Sequence, residues 1–282
     1  MPHQLSTLLR DSKRQQWGRR SRVRFADAPA PKGALVFLHG FRGEATDTWL
    51  DFPFRLPKEP KAAEYDLLFY GYDSRQQAPY SARNFDLFLR AVAEDPAREV
   101  VNPSLAKGLP TRPDTFRYDH IVIAAHSLGA VVSRLALLGA VSPQRKPLPW
   151  LSQVRLILFA PAHAGAPAIK LAQLVFRGVP VSGPLEALAR KRYKSIEDLD
   201  PNAGTIPQLR IEINDFLTKA PANLTDCQRA YVTHGSEDWV IKENQFLEDQ
   251  RFVPMDGAGH FEVCKPTRTD SRPLDFLIGA LP

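Results

Sequence analysis

Apolar and polar residues alternate along the chain in blocks that predict strands and helices in turn. Short runs rich in apolar residues predict strands, and continuous apolar runs are typical of parallel strands covered on both faces. The early strands are expected at residues 34–38, 65–72, 121–125 and 154–160. Two later strands are expected at residues 229–233 and 250–255. Because helical patterns separate these runs, the chain predicts an α/β fold with a mostly parallel, doubly wound sheet.

The two ends of the chain complete this pattern. Residues 21–25 alternate polar and apolar side chains and predict an edge strand, which Pro29 and Pro31 end. Residues 81–92 carry apolar side chains at helical spacing, and residues 273–280 predict a helix that closes the chain.

A long segment between residues 163 and 227 lacks strand patterns. It predicts short helices at residues 168–176, 185–190 and 206–217. Such a segment is long for a connection within a sheet, so we expect a helical cap or lid. The predicted organisation is therefore a basic arm, a core in two parts and the cap: residues 1–20, residues 21–162 with 228–282, and residues 163–227.

The segment from Tyr118 to Ala140 predicts a buried strand, a tight turn and a buried helix, with Ser127 at the turn. A serine on a strand-to-helix turn, flanked by small residues as in G-x-S-x-G, is typical of a nucleophile elbow. Here the pattern reads AHSLG, with alanine at the first small position. A lone serine motif more often marks a helix N-cap, but the flanking strand and helix supply the required context.

A serine hydroxyl needs a base in hydrogen-bond reach and an acid that orients the base. In this topology the acid and then the histidine should follow late strands, in that order. His260 follows the last predicted strand and is the expected base, while Asp238 follows the preceding strand and is the expected acid. Glu237 and Asp256 remain competitors for the role of the acid.

The loop after the strand at residues 34–38 predicts part of an oxyanion hole. Backbone N–H groups suit this role, and we expect them from Phe41 and Leu128. His39 is expected to hold this loop by hydrogen bonds. Arg42 and His126 flank the same space as substrate-binding candidates, and either is equally compatible with a solvated position at the rim.

The formal net charge of +6 is concentrated at the N-terminus. Seven basic residues and one acidic residue lie in the first 24, so the rest of the chain is neutral. The arm is interpreted as a solvated lead-in, with an anchor for anionic membrane or nucleic acid and an organelle transit segment as alternatives. A neutral body does not favour nucleic-acid binding, and no apolar run is long enough to span a bilayer.

Cys227 and Cys264 are the only cysteines and lie far apart. They do not predict a disulfide framework, which favours a reducing, cytoplasmic location. His260 precedes Cys264 by four residues, but no second ligand pair completes a metal site, so neither a metal nor another cofactor is expected.

The chain resembles the α/β-hydrolase superfamily in the order of five segments: VFLHGF, AHSLGA, LFAPAHAGAP, THGSEDWV and GAGHFEVCKP. Within it, the chain is similar to lipase-like serine esterases of the SERAC and GPI-inositol-deacylase type. The resemblance covers residues 33–280 without the cap and implies an α/β-hydrolase fold acting on acyl esters, often of lipids. The segment ending in His163 departs from the relatives' pattern, so His163 is expected only to shape its loop.

The leading functional hypothesis is a serine hydrolase that cleaves carboxylic esters of small molecules or lipids through an acyl-enzyme on Ser127. Leu171 and Leu174 of the cap are candidates for lining an acyl-binding cleft, although packing onto the sheet explains them equally well. A thioesterase or acyltransferase would use the same residues, and a non-catalytic binding module is a further alternative. The sequence does not predict an oligomeric state.

Overall fold

A computed structural model describes residues 6–7, 21–28, 30–100, 112–141, 148–176, 183–202, 204–241, 249 and 251–282. In these ranges the strands form one eight-stranded sheet with the spatial order β1-β2-β4-β3-β5-β6-β7-β8. The strands are β1 (Ser6–Thr7), β2 (Arg22–Arg24), β3 (Gly33–Leu38), β4 (Tyr65–Tyr70), β5 (His120–His126), β6 (Val154–Phe159), β7 (Ala230–Gly235) and β8 (Arg251–Met255). All neighbouring pairs from β4 to β8 are parallel, and β1 and β2 are antiparallel to their neighbours.

Helices cover both faces of this sheet, and short 3₁₀ turns add to the connections. The helices are α1 (Phe52–Arg55), α2 (Ala78–Glu94), α3 (Pro96–Glu99), α4 (Leu128–Ala140), α5 (Ala168–Val175), α6 (Gly183–Arg192), α7 (Ser195–Asp198), α8 (Thr205–Lys219), α9 (Ala222–Thr225) and α10 (Arg272–Ala280). The prediction of a mostly parallel, doubly wound α/β sheet is confirmed.

The prediction that residues 21–25 form an edge strand was wrong. β2 pairs with β4 on one side and with β1 on the other, where Ser6 lies opposite Val23 and Thr7 opposite Arg22. Two residues of the basic arm therefore belong to the sheet. The rest of the arm, residues 1–5 and 8–20, lies outside the described residues.

The core has two layers because successive residues of a strand point to opposite faces. On β3, Ala34, Val36 and Leu38 pack in the layer that contains α2 and α4. Leu35 and Phe37 pack in the other layer, with Trp49, Phe52 and residues of α10. All five β3 side chains are fully buried, as the continuous apolar run predicted.

Helix α4 is buried on more than the one face that its apolar spacing indicated. Ser133 and Arg134 are buried along with Leu128, Val131 and Val132. Arg134 makes this burial tolerable, because its guanidinium donates to the Gln228 carbonyl (2.8 Å) and to the Asp249 carboxylate (2.7 Å). The helix that begins at the elbow is therefore fixed from several sides.

Helices α5 to α9 follow β6 and precede β7 along the chain. They pack onto the layer that contains α2 and α4. Ile206, Leu209 and Ile213 of α8 are fully buried in this layer. The segment is also attached by polar contacts to the start of α2. The Asp198 carboxylate accepts the N–H of Ala78 at 2.7 Å, in the first turn of α2, where carboxylates are favoured.

A buried ion pair joins β4 to the segment before β5. Both carboxylate oxygens of Asp66 accept hydrogen bonds from Arg112 Nη2, at 2.8 and 3.0 Å, and both side chains are fully buried. The Asp66 carboxylate also accepts the Tyr118 hydroxyl (2.7 Å) and the Ala26 N–H (2.8 Å). Because both oxygens of the Asp66 carboxylate accept hydrogen bonds, the buried charge is tolerated. Its contacts join three separate segments of the chain.

Asp66→Asn should lower the free energy of unfolding by about 3–5 kcal/mol, because it leaves the Arg112 charge buried without its counterion. Urea denaturation with a circular-dichroism readout measures the loss. Asp215→Asn is the matched control, since Asp215 pairs with Lys219 on the exposed face of α8. That change should cost less than about 0.5 kcal/mol. Equal losses in the two variants would contradict the role given to the Asp66 cluster.

Candidate active site

Ser127 occupies a strained turn between β5 and α4. Its backbone has φ 53° and ψ −118°, a conformation that residues with a side chain rarely adopt. The turn is held because the Ser127 N–H donates to the Phe159 carbonyl at 3.0 Å. A Cβ on Gly129 would lie 2.4 Å from the Leu38 carbonyl oxygen, so only glycine fits the close approach of α4 to β3.

The structure brings Ser127, His260 and Asp238 together, although 133 and 22 residues separate the two contacting pairs. His260 Nε2 lies 3.2 Å from the Ser127 hydroxyl oxygen, and His260 Nδ1 lies 2.8 Å from an Asp238 carboxylate oxygen. Ser127 and His260 are almost completely buried, and the Asp238 side chain is fully buried. The imidazole is thus held between a hydroxyl and a carboxylate.

The surroundings of Asp238 keep its carboxylate charged. Burial by itself raises the pKa, but hydrogen bonds from His260 and from the N–H groups of Val240 and Ile241 outweigh it, and the pKa is lowered. The two N–H groups donate to the second carboxylate oxygen at 2.8 and 2.9 Å. The competing carboxylates, Glu237 and Asp256, are both exposed.

A second imidazole lies beside Asp238. His234 Nε2 is 3.5 Å from the carboxylate oxygen that His260 also contacts, and it donates to the Ile241 carbonyl at 3.1 Å. The sequence analysis did not single out His234. Its signal was its place at the end of β7, four residues before Asp238.

The loop after β3 is tied down by His39. Its Nε2 accepts the N–H of Tyr72 at 3.2 Å, and its Nδ1 donates to the Gly40 carbonyl at 2.9 Å. The prediction that His39 holds the loop by hydrogen bonds is confirmed by these contacts. A Cβ on Gly40 would lie 2.8 Å from Ser127 Cβ, so the loop passes directly over the serine.

The N–H groups of Phe41 and Leu128 are the predicted oxyanion donors. Leu128 is the first residue of α4, and Phe41 follows Gly40 in the loop that passes over Ser127. Neither N–H donates to an acceptor within the described part of the chain. Both are therefore available to an oxygen atom of a bound molecule.

His126 holds the backbone of His260 by a hydrogen bond. His126 is 2% exposed, and its Nε2–H donates to the His260 carbonyl at 2.9 Å. The two rings pack with their centroids 4.8 Å apart. Burial, with the nearby charge of His260 as the second cause, lowers the pKa of His126 to about 3. His126 also lines the cleft, so it combines support with a place near a ligand.

A cleft of about 480 Å³ opens beside these residues. Its walls are the loop after β3, the end of α5 and the two loops that carry Asp238 and His260. Aromatic and charged side chains that the sequence analysis did not single out complete the lining: Glu44, Asp47, Trp239, Phe261 and Lys265. No motif spacing in the sequence marks these side chains as part of a cleft.

Arg42 and the two leucines of α5, Leu171 and Leu174, have different positions relative to the cleft. Arg42 lines the cleft, and its guanidinium donates to the Leu174 carbonyl and, at 3.0 Å, to the Val175 carbonyl at the end of α5. Leu174 also lines the cleft. Leu171 does not, because it is fully buried in the core beneath α5, so its candidacy for substrate binding is corrected to packing.

The described residues give no indication of a metal centre. No group of three or more His, Cys, Asp or Glu side chains among them is arranged to hold an ion. Cys227 and Cys264 are buried free thiols whose burial raises each pKa to about 12. His163 is buried in the 3₁₀ turn Ala162–Ala164, between β6 and α5.

Comparisons with known proteins agree with this fold. The profile of a family described as "Alpha/beta hydrolase family" matches residues 35–270. The mature lipase BlEst2 of Bacillus licheniformis is similar in structure with a TM-score of 0.57 and 14% identity, over 92% of this chain and 97% of the lipase. No curated protein has a sequence that matches this chain significantly.

Two further solved structures are more distant. Phospholipase PlaB of Legionella pneumophila has a TM-score of 0.45 and 19% identity over 73% of this chain and 39% of its own. Est1E of Butyrivibrio proteoclasticus has a TM-score of 0.46 and 14% identity over 93% of this chain and 90% of its own.

In the described ranges, every helix is too short or too polar to cross a membrane.

His126 should make the protein sensitive to mild acid. Its folded pKa of about 3 lies below the ordinary 6.5, so between these values the unfolded chain binds a proton that the folded chain excludes. Stability should therefore fall as the pH drops below 6.5, by about 2 kcal/mol at pH 5 from this group. His126→Gln, which retains an N–H but does not titrate, should remove that part of the loss between pH 7 and pH 5 in urea denaturation.

The control for this measurement is His120→Gln, since His120 is only partly buried and its pKa is lowered by that burial. The control should reduce the acid sensitivity less than His126→Gln does. Stability curves of wild type and His126→Gln that run parallel from pH 7 to pH 5 would contradict the assignment.

Proposed function

Because the chain belongs to the alpha/beta hydrolase family, we propose that it is a serine hydrolase that cleaves carboxylic esters through an acyl-enzyme on Ser127. The observation that carries this proposal is the unbroken series of contacts from the Ser127 hydroxyl through His260 to Asp238. The proposal extends to a lipase-like esterase of the SERAC or GPI-inositol-deacylase type, on the basis of the sequence segments that resemble those relatives.

In the first half of the reaction, Ser127 Oγ attacks the ester carbonyl carbon while His260 Nε2 takes the hydroxyl proton. Asp238 holds the Nδ1–H of His260, which fixes the tautomer and stabilises the imidazolium. The carbonyl oxygen becomes negative and accepts the N–H groups of Phe41 and Leu128. When the C–O bond to the alcohol breaks, His260 returns the proton to the leaving oxygen, and the acyl group remains on Ser127.

In the second half, water enters as the nucleophile and His260 removes its proton. The resulting tetrahedral intermediate expels Ser127 Oγ, which takes the proton back from His260, and the carboxylic acid leaves. The 3.2 Å distance between His260 Nε2 and Ser127 Oγ is at the long end of a hydrogen bond, and such contacts commonly tighten when substrate binds.

The same residues would serve a thioesterase or an acyltransferase, which differ only in the leaving group or in the acceptor that replaces water. A carboxylic ester is proposed first because the sequence resemblance points to esterases. A non-catalytic binding module is disfavoured by the complete series of contacts and by the N–H groups left available next to Ser127. The helices α5 to α9 are proposed as a cap, since the end of α5 contributes Leu174 to the cleft.

We further propose that the basic arm contacts anionic membrane and that the protein is located in the cytoplasm. Contact of the basic arm with anionic membrane rests on the charge of residues 1–24 alone. A cytoplasmic location rests on the two free, buried cysteines.

Ser127→Ala should abolish covalent labelling by a fluorophosphonate probe, because the probe bonds to the activated serine oxygen. Turnover of p-nitrophenyl butyrate should fall at least about 10⁴-fold. Ser152→Ala is the matched control: Ser152 is exposed, bonds only to the Pro149 carbonyl and should leave both readouts intact. Labelling that persists in Ser127→Ala would overturn the proposed nucleophile.

Asp238→Asn should lower kcat by about 10⁴-fold while the fold persists, because an amide favours the wrong imidazole tautomer. Asp256→Asn is the matched control, as Asp256 is exposed and makes no contact with His260, and its kcat should stay within about threefold of wild type. A larger loss in Asp256→Asn than in Asp238→Asn would assign the acid to Asp256 instead. The measurement is steady-state hydrolysis of p-nitrophenyl butyrate.

A further inference from the structure

Lys265 places a positive charge in the cleft close to His260. Its ammonium nitrogen lies 5.4 Å from the centre of the Phe261 ring, within cation–π range. Phe261 in turn meets the His260 ring edge-on, with centroids 5.1 Å apart. Lys265 and Phe261 both line the cleft. The Phe261 ring therefore lies between the Lys265 ammonium and the His260 imidazole.

A second lysine has the same arrangement on the other aromatic side chain of the cleft. The Lys170 ammonium lies 5.3 Å from the centre of the Trp239 ring, and Trp239 is 46% exposed at the mouth. Neither lysine forms an ion pair with a carboxylate among the residues that the structure describes. A lysine held over an aromatic ring can also bind an anionic partner, since the ring leaves the N–H groups of the ammonium on its far side accessible.

The other charged side chains that line the cleft do not pair with Lys265. Arg42 is engaged with the carbonyls at the end of α5. Glu44 and Asp47 belong to the loop after β3, and both are exposed, so water and salt screen them strongly. Lys265 is half-buried against Phe261, where screening is weaker and an interaction with an anion is stronger.

The position of Lys265 also indicates which part of the substrate it would meet. In the proposed reaction His260 gives its proton to the leaving alcohol oxygen, so groups packed on that imidazole face the alcohol portion of the ester. Resting on the proposed function, we propose that the cleft takes esters whose alcohol portion carries an anionic group, a carboxylate or a phosphate. Lys265 binds that group, and Lys170 adds attraction at the mouth.

The test compares two acetate esters of the same shape, 4-acetoxybenzoate and 4-acetoxybenzamide, which carry a carboxylate and a neutral amide on the leaving phenol. The quantity measured is the ratio of kcat/KM for the anion to kcat/KM for the amide. Taking this ratio in each variant relative to wild type removes the difference in intrinsic reactivity between the two esters. Lys265→Met should lower the ratio about tenfold, as expected for loss of one charge-assisted contact.

Three controls make the result specific. Lys265→Arg keeps the charge and should retain most of the preference. Lys58→Met removes the same charge from an exposed site at the end of the 3₁₀ turn Leu56–Lys58, outside the cleft lining, and should leave the ratio unchanged. Raising KCl to about 0.5 M should reduce the wild-type preference, since salt screens a partly exposed charge. A further loss in Lys170→Met would assign the second contact.

The outcomes separate this inference from the proposed function. If wild type hydrolyses both esters and the ratio is the same in Lys265→Met and in wild type, the anion site is overturned while the hydrolase survives. If wild type hydrolyses neither ester and Ser127 is not labelled by a fluorophosphonate, the proposed function itself fails. Retained thermal melting temperatures in the variants show that a lowered ratio does not come from misfolding.

Discussion

The strained backbone of Ser127 is the constraint on which the arrangement of the site depends. A residue with a side chain at φ 53° costs about 1–3 kcal/mol and persists only where the surroundings enforce it. Here the enforcing contacts come from β6 and the turn that follows it: the Ser127 N–H donates to the Phe159 carbonyl at the end of β6, and the Ala162 N–H donates to the Ser127 carbonyl. Because α4 then runs directly against β3 at Gly129, the serine is fixed by the most buried part of the sheet.

The polar side chains around Ser127 contact one another within an otherwise apolar core. Asp238 is held by two backbone N–H groups and the His260 imidazole, and His126 supports the backbone of His260. Both carboxylate oxygens of Asp238 and both ring nitrogens of His260 have a partner, which is the condition under which such groups are tolerated away from water. The orientation of His260 thus results from contacts at its ring and at its backbone together.

Much of the fold was predictable because its signals are local. Buried parallel strands read as continuous apolar runs, and the polar residues that follow β7 and β8 must meet at one edge of a parallel sheet. Pairings over long sequence distances were not predictable. Nothing near Asp66 indicates that Arg112 is its partner, and nothing near Ser6 indicates that it pairs with Val23.

Helix α5 shows the same limit for single side chains. Leu171 and Leu174 lie three residues apart on one helix, yet one is buried in the core and the other lines the cleft. The helical spacing of the two leucines would be the same whether they packed in the core or lined a cleft. Periodicity identifies the apolar face of a helix and does not show what packs against that face. The partnership of Lys265 with Phe261 likewise depends on ring orientation, which no sequence pattern encodes.

Arg42 links the loop after β3 to the end of α5 at the cleft. Its guanidinium holds the last carbonyls of α5, its own N–H is bonded to the Ser74 hydroxyl, and its neighbour Phe41 packs against Tyr193 after α6. An outward displacement of α5 would have to break the two hydrogen bonds that the Arg42 guanidinium donates to Leu174 and Val175. The width of the cleft at this end is consequently tied to the same loop that passes over Ser127.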